Sequence, residues 1–205
     1  MSDFIYLASQ SPRRRQLLEQ IGVPHRLLLA EAHEDAESLE TRSGRESART
    51  YVERVTALKL DAAMRRLAER HALSAPEWPL AAILCADTTV ALGRDILGKP
   101  TDAAEAREML SRLSGRTHRV LTALALQWGR RRWQAVSESM VSFAPMSRAQ
   151  IHSYVASGEP MGKAGAYGIQ GLAAQHVSRI QGSYSGIMGL PLHETAQLLR
   201  HVRLG

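Results

Sequence analysis

Short apolar runs alternate with capped helical segments along the chain, and this alternation constrains the fold more than any other feature of the sequence. Phe4–Ala8 predicts a short buried strand, and Ser11-Pro12 predicts a helix with serine as its cap and proline at its first position. Two alternating runs, 117–128 and 133–143, predict strands joined across Gly129–Arg132. Because hairpins and helical crossovers occur together, we expect an α/β (mixed α+β) fold built on one extended sheet.

Caps and turns locate the other elements. A long helix is expected from about Ser47 to His71, with an apolar stripe of Val52, Val55, Leu58 and Met64. Further along, a strand is expected over 174–180, and after Gly182–Gly189 the last helix is expected to start at Pro191. No internal repeat divides the chain. On the usual scale of ~100–200 residues per domain, we therefore expect one domain over 1–205, or two lobes that share a cleft.

The composition excludes several classes of protein. With 44% hydrophobic and 22% charged residues, the chain is neither a disordered tail nor a collagen-like repeat. The one cysteine, Cys85, cannot form an internal disulfide or a metal cluster, which fits a reducing compartment. No run reaches the ~18–20 apolar residues of a membrane span, and the N-terminal residues lack the pattern of a signal peptide. We therefore expect a cytoplasmic protein with no membrane partner.

The charge balance favours an anionic partner. There are 26 lysines and arginines against 20 acidic residues, a formal net charge of +6. Only Lys59, Lys99 and Lys163 are lysines, and the other 23 basic residues are arginines. A basic chain favours nucleic acids, phosphorylated metabolites or acidic membranes. Aromatic residues are only 5% of the chain and do not follow the arginine clusters, which argues against a nucleic-acid-binding protein that stacks bases.

Two segments are candidate phosphate-binding sites. Ser9 to Arg14 spans a predicted strand-to-helix junction, where free N–H groups, hydroxyls and the Arg13 and Arg14 guanidinium groups suit phosphate oxygens. The alternative is an ordinary helix start with a solvated face. The second segment begins where Asp87 follows a buried apolar run, well placed to hold Mg²⁺ or to orient a water molecule, although an aspartate that only forms a turn at the end of a strand is the alternative. Lys99 lies in a rigid Gly-Lys-Pro turn nearby and suits a polyphosphate, although an exposed turn lysine is the alternative.

A glycine-rich segment is a candidate base-binding site. Residues 163–171 contain three glycines that would let the backbone approach a ligand closely. Gln170 offers one acceptor and one donor side by side, which match the N3–H and carbonyl edge of uracil or thymine. The alternative is a glycine-rich connection in which the glutamine is incidental.

Taken together, these segments resemble the Maf family, the septum-formation-inhibitor-like nucleotide pyrophosphatases. Several motifs occur in the family's order, which is more specific than any one of them. The matching segments are LASQSPRRRQLLEQIG (7–22), YVERVTALKLDAA (51–63), ADTTVALGRDILGKPTDAAEAREMLSRLSGRTHRVLTALAL (86–126), YVASGEPMGKAGAYGIQG (154–171) and GSYSGIMGLPLHET (182–195).

The resemblance implies an activity, a fold and a set of site residues. The activity is hydrolysis of a nucleoside triphosphate to the monophosphate and pyrophosphate, assisted by Mg²⁺ or Mn²⁺. The fold is an elongated mixed sheet with helices and a deep cleft between two lobes, similar to inosine triphosphate pyrophosphatases. Asp87 would be the general base or the metal-bound carboxylate, and Glu34 would help to hold the metal. Substrate binding would fall to Ser9, Arg13, Arg14, Lys59, Thr88, Lys99, Lys163 and Gln170.

The resemblance also implies a branch of the family. One branch acts on dTTP and UTP, and the other acts on 7-methyl-GTP. This chain resembles the first branch in Arg13, Thr88 and Gln170, whereas the second tends to have tryptophan in place of Arg13 and glutamate in place of Gln170. An amide pairs with the acceptor-plus-donor edge of a pyrimidine, whereas a carboxylate accepts from two donors of guanine. Modified pyrimidine nucleotides remain alternative substrates.

Two departures from the family pattern concern the metal shell. His33 stands where an acidic residue is usual, and Gly162 replaces an aspartate. Two other readings stay open, the 7-methyl-GTP branch and a non-catalytic basic binding protein linked to cell division. Family members are often dimers, so the resemblance allows a homodimer, for which the sequence shows no interface signal.

Overall fold

A computed structural model describes residues 3–31, 34 and 38–202 of the chain. His33 lies outside the described residues. The strands of the described part are β1 to β7: Ile5–Leu7, His25–Leu27, Ile83–Leu92, Asp95–Leu97, Thr117–Trp128, Arg131–Phe143 and Val177–Gln181. The helices are α1 to α6: Pro12–Gln20, Ala48–Leu73, Ala103–Leu113, Arg148–Ala156, Tyr184–Met188 and Leu192–Leu199.

All seven strands join one mixed sheet in the order β2-β1-β3-β5-β6-β7, with β4 paired to β3. β1 is parallel to both β2 and β3, and every other pair is antiparallel. The long β3, β5 and β6 form the centre, where Asp87 pairs with Ala123 and Thr88 with Thr122. The mixed sheet with flanking helices confirms the predicted fold class.

The predicted helix caps are mostly confirmed. Ser47 accepts a hydrogen bond from the Thr50 N–H at the start of α2, and α4 begins with a complete capping box between Ser147 and Gln150. Ser11 precedes Pro12 as predicted, but its side chain accepts no capping bond. None of the helices in the described residues is long and apolar enough to cross a membrane.

Two local predictions were wrong. Leu58 of the predicted apolar stripe is 36% exposed, whereas Val52 and Val55 of that stripe are buried, because Leu60 and not Leu58 lies on the face of α2 that packs on the sheet. The predicted strand 174–180 begins only at Val177, after a short 3-10 helix over Leu172–His176. The segment between Gly182 and Gly189, for which no element was predicted, contains the five-residue helix α5.

The buried core lies on both faces of the sheet. On one face, Cys85 packs with Leu60 and Ala63 of α2. On the other face, Ala86 packs with Leu17 and Leu18 of α1. Successive residues of a strand point to opposite faces. Asp87 therefore lies on the face of β3 that meets α2, and Thr88 lies on the face that meets α1 and α5.

Candidate functional site

A cleft with a volume of about 660 Å³ opens beside the middle of β3. It is bounded by the start of α1, one side of α2, the turn after β4 and the loop that precedes β7. Every site residue named in the sequence analysis lines this one cleft. These residues are Ser9, Arg13, Arg14, Glu34, Lys59, Asp87, Thr88, Lys99, Lys163 and Gln170.

Asp87 shares its closest cation with a second carboxylate. The Lys59 Nζ lies 2.5 Å from the Asp87 Oδ1 and 2.8 Å from the Glu40 Oε1. The Lys99 ammonium lies 2.8 Å from the same Glu40 carboxylate. Sequence reasoning missed Glu40, because it lies in a polar segment with no motif. Its backbone carbonyl accepts a hydrogen bond from the Tyr51 hydroxyl at 2.9 Å, which ties the segment to α2.

The charges of this network stabilise one another. Burial alone would raise the pKa of Glu40, but the Lys59 and Lys99 ammonium groups outweigh burial and lower it. Burial alone would lower the pKa of Lys59, but Asp87 and Glu40 outweigh burial and raise it. Both groups therefore stay ionised over a wider pH range than usual. The site presents ammonium groups that are already positioned for an anion.

Arg14 is held by groups from three parts of the chain. Its Nε donates to the Gly189 carbonyl at 2.8 Å, and its terminal nitrogens donate to Ser9 Oγ at 3.2 Å and Thr88 Oγ1 at 3.3 Å. Thr88 is in turn 2.9 Å from the Thr122 hydroxyl. Burial lowers the pKa of Arg14, with a smaller opposing effect from Asp87. The guanidinium is fixed in the wall of the cleft rather than free in solution.

Arg13 and Lys163 both line the cleft and lie close enough to repel each other. Arg13 makes no hydrogen bond or ion pair within the described residues. Burial lowers the pKa of both Arg13 and Lys163. Repulsion from the Arg13 guanidinium lowers the pKa of Lys163 further. The Lys163 ammonium donates to the Glu159 carbonyl. An incoming anion would relieve the repulsion between these two cations.

Gln170 lies at the exposed edge of the glycine-rich loop, and its amide has no hydrogen-bond partner in the part of the chain that the structure describes. The loop also contacts the turn after β4, where the Gly165 N–H donates to the Gly98 carbonyl at 2.9 Å. Gly165 has φ +67°, and a Cβ there would lie 2.9 Å from the Val90 side chain. Glycine is therefore required at this close approach.

Glu34 lines the cleft but is already paired. Its carboxylate accepts from the Arg66 Nε at 2.7 Å and from a terminal Arg66 nitrogen at 2.5 Å. No three His, Cys, Asp or Glu side chains of the described residues are grouped so that they could enclose a metal. Magnesium is usually held by one or two carboxylates together with substrate phosphates and water. Asp87, with Glu40 beside the same ammonium, fits that open arrangement.

Comparisons with known proteins find relatives that match nearly the whole chain. The family model described as "Maf-like protein" matches residues 4–202. A protein of Polaromonas sp. (strain JS666) named "dTTP/UTP pyrophosphatase" is 66% identical over 199 residues, which cover 97% of this chain and 96% of that protein. Proteins with the same name from Albidiferax ferrireducens and Cupriavidus pinatubonensis are 61% and 59% identical. They cover 98% and 100% of this chain, and the matches span 97% and 99% of those proteins.

Proposed function

The chain belongs to the Maf-like protein family, and from this premise we propose that it hydrolyses dTTP and UTP to the monophosphate and pyrophosphate. The observation that carries the proposal is the arrangement of charge in the cleft. Asp87 is bound to Lys59, and the Lys99 ammonium lies beside the same network. Gln170 lines the same cavity. A triphosphate with a pyrimidine base matches this combination of cations and a single amide.

The basic residues hold the triphosphate in this proposal. Lys59 and Lys99 both point at Glu40, so their ammonium groups already converge on one place. Phosphate oxygens would replace the Glu40 carboxylate there, while Arg13 and Lys163 approach as well. Ser9 and Arg14 complete the set at the start of α1, where the helix N-terminus also favours an anion. Thr88 holds the Arg14 side chain in position.

Asp87 acts on the attacking water. The water oxygen bonds to the α-phosphorus, and the bond from that phosphorus to the oxygen bridging to the β-phosphorus breaks. Pyrophosphate leaves with that bridging oxygen, and the water proton passes to Asp87 or to solvent. A bound Mg²⁺ or Mn²⁺ would supply charge neutralisation and a more acidic water. Asp87 is the proposed ligand, and Glu34 could join it only by giving up its contacts with Arg66.

Gln170 pairs with the edge of the base. Its carbonyl accepts from the N3–H of uracil or thymine, and its amide donates to the neighbouring base carbonyl. The names of the relatives support this choice over the 7-methyl-GTP branch. The two-lobed domain, the cytoplasmic location, the homodimer and the absence of a nucleic-acid partner belong to the same proposal.

Release of pyrophosphate from a panel of nucleoside triphosphates tests the proposal. With Mg²⁺ or Mn²⁺, we expect dTTP and UTP to be the best substrates and Asp87→Asn to lower kcat by ~100-fold or more, the usual range for loss of an acid–base group. Asp95→Asn, an exposed aspartate on β4, is the matched control and should keep full activity. Preference for 7-methyl-GTP would favour the other branch. No release from any nucleotide would favour a binding protein.

A further inference from the structure

An amide alone does not distinguish uracil from cytosine. Turning the Gln170 amide by half a turn exchanges its donor and acceptor, and the turned amide matches the N3 and amino group of cytosine. The Gln170 side chain is exposed and has no hydrogen bond within the described residues that would fix its orientation. Discrimination against cytosine therefore needs hydrogen-bonding groups whose donor and acceptor positions are fixed. The backbone of Gly168 and Ile169, which also lines the cleft, offers such groups.

That backbone is fastened from outside the loop by Glu159. One carboxylate oxygen of Glu159 accepts from the Tyr154 hydroxyl at 2.8 Å, and the other accepts from the Leu172 N–H at 2.9 Å. The Tyr154 hydroxyl in turn accepts from the Gly168 N–H at 3.3 Å. The two ends of the segment 168–172 are thus tied to one carboxylate, which comes from the turn after α4.

The glycine at position 171 is consistent with these contacts of Glu159. A Cβ on Gly171 would overlap the Glu159 carboxylate, although the backbone conformation of Gly171 is one that other residues adopt. Glycine is therefore required at 171 by the carboxylate and not by the backbone. Tyr154 is 4% exposed, so its hydroxyl has little access to replacement partners in water. The tie through Tyr154 is consequently shielded from competition by water, whereas the tie to the Leu172 N–H is exposed.

We propose that Glu159, together with Tyr154, is a positioning residue that holds the backbone of 168–172 so that the cleft prefers uracil or thymine to cytosine. This inference rests on the proposed function, because it assumes that Gln170 faces the base. Glu159 does not touch the substrate in this scheme. It acts through the position of Gly168 and Gln170, and its carboxylate is needed because only a carboxylate accepts at both oxygens.

Two variants distinguish the loss of the hydrogen bonds that hold residues 168–172 from the loss of the Glu159 negative charge. Glu159→Gln keeps the shape but places a donor against either the Tyr154 hydroxyl or the Leu172 N–H. It also removes a negative charge that acts on Arg13 and Lys163. Tyr154→Phe removes one tie to Glu159 and the tie to Gly168, and it leaves the net charge unchanged. Glu108→Gln, an exposed glutamate on α3, is the matched control.

The test compares the binding of dTTP and CTP analogues whose α,β-bridging oxygen is replaced by a methylene group. Calorimetry gives the ratio of their Kd values without requiring turnover. We expect the wild type and Glu108→Gln to prefer the dTTP analogue, and both Glu159→Gln and Tyr154→Phe to lower that preference by ~5-fold or more, the effect of one lost buried hydrogen bond. If one variant fails to fold, the other carries the test.

An unchanged ratio in a folded variant would overturn the proposal, as would equal loss of affinity for both analogues. A wild type that binds the two analogues equally would overturn it as well. Hydrolysis is measured separately on the wild type with dTTP. A wild type that prefers the dTTP analogue but releases no pyrophosphate would overturn the proposed function while leaving the role of Glu159 in place.

Discussion

Lys59 is the residue that joins Asp87 and Glu40 in the cleft. It is held between Asp87 and Glu40, and Lys99 approaches Glu40 from the other side. In the absence of substrate, Glu40 therefore occupies the place where a phosphate group would meet both lysines. A carboxylate in that place competes with the substrate and keeps the two side chains ordered.

Replacing Glu40 tests this competition. We expect Glu40→Gln to bind pyrophosphate ~2- to 10-fold more tightly, because the ammonium groups give up weaker partners when the anion enters. Isothermal titration with pyrophosphate gives the affinity, and Glu69→Gln, an exposed residue of α2, is the control. Weaker binding in Glu40→Gln would mean that Glu40 orders the lysines more than it competes with the anion.

Gln170→Glu tests the base contact. A carboxylate cannot donate to the base carbonyl, and a buried polar group left unpaired costs ~1–3 kcal/mol, so kcat/KM for dTTP should fall roughly 5- to 150-fold. Gln170 is exposed in the free protein, so the unfolding temperature should hardly change. Gln134→Glu, on the exposed side of β6, serves as the control. A loss of stability as large as the loss of activity would contradict the assignment.

At the scale of elements, the packing between β5, β6 and the loop before β7 includes a buried histidine. His118 of β5 is 1% exposed and contacts the rings of Phe143 and Tyr167. Its Nε2 lies 2.8 Å from the Tyr167 hydroxyl, and Tyr167 lines the cleft. Burial lowers the pKa of His118 from 6.5 to about 4. The folded protein therefore keeps this side chain neutral where the unfolded chain would protonate it.

This difference predicts a loss of stability in acid. As the pH falls from 6.5 towards 4, the unfolded state gains a proton at His118 before the folded state does. The free energy of unfolding therefore falls by about 3 kcal/mol in all. Chemical unfolding at several pH values should show a shallower decline for His118→Gln than for the wild type. His152→Gln, an exposed residue of α4, should follow the wild type. Identical slopes for wild type and His118→Gln would contradict the assignment.

Elements with strong local signals could be predicted, and elements defined by their surroundings could not. The start of α2 is fixed by Ser47, whose side chain accepts from Thr50, and this cap is visible in the sequence. The exposure of Leu58 depends on which face of α2 the sheet covers, and periodicity alone leaves that face uncertain. Five residues are too few to display a helical period, so α5 could not be predicted from the sequence between Gly182 and Gly189.

At the scale of the whole molecule, the motifs predicted which residues would line one cleft, but they did not predict the contacts between those residues. The site residues inferred from separate motifs all line one cleft, because β3, α1, α2 and the loop before β7 meet there. Glu40 was missed because it lies outside the matching segments, and Glu159, although it lies within the segment 154–171, was missed because its hydrogen-bond partners cannot be read from the sequence. Their importance follows from distances to Lys59, Lys99 and Tyr154, which only the fold brings together.

The central claim is that water attacks the α-phosphorus of a pyrimidine nucleoside triphosphate in this cleft. Hydrolysis of dTTP in water labelled with ¹⁸O, followed by mass spectrometry of both products, tests that claim most directly. We predict that the label enters dTMP and that pyrophosphate stays unlabelled. Label in pyrophosphate, or release of inorganic phosphate and dTDP, would contradict the account.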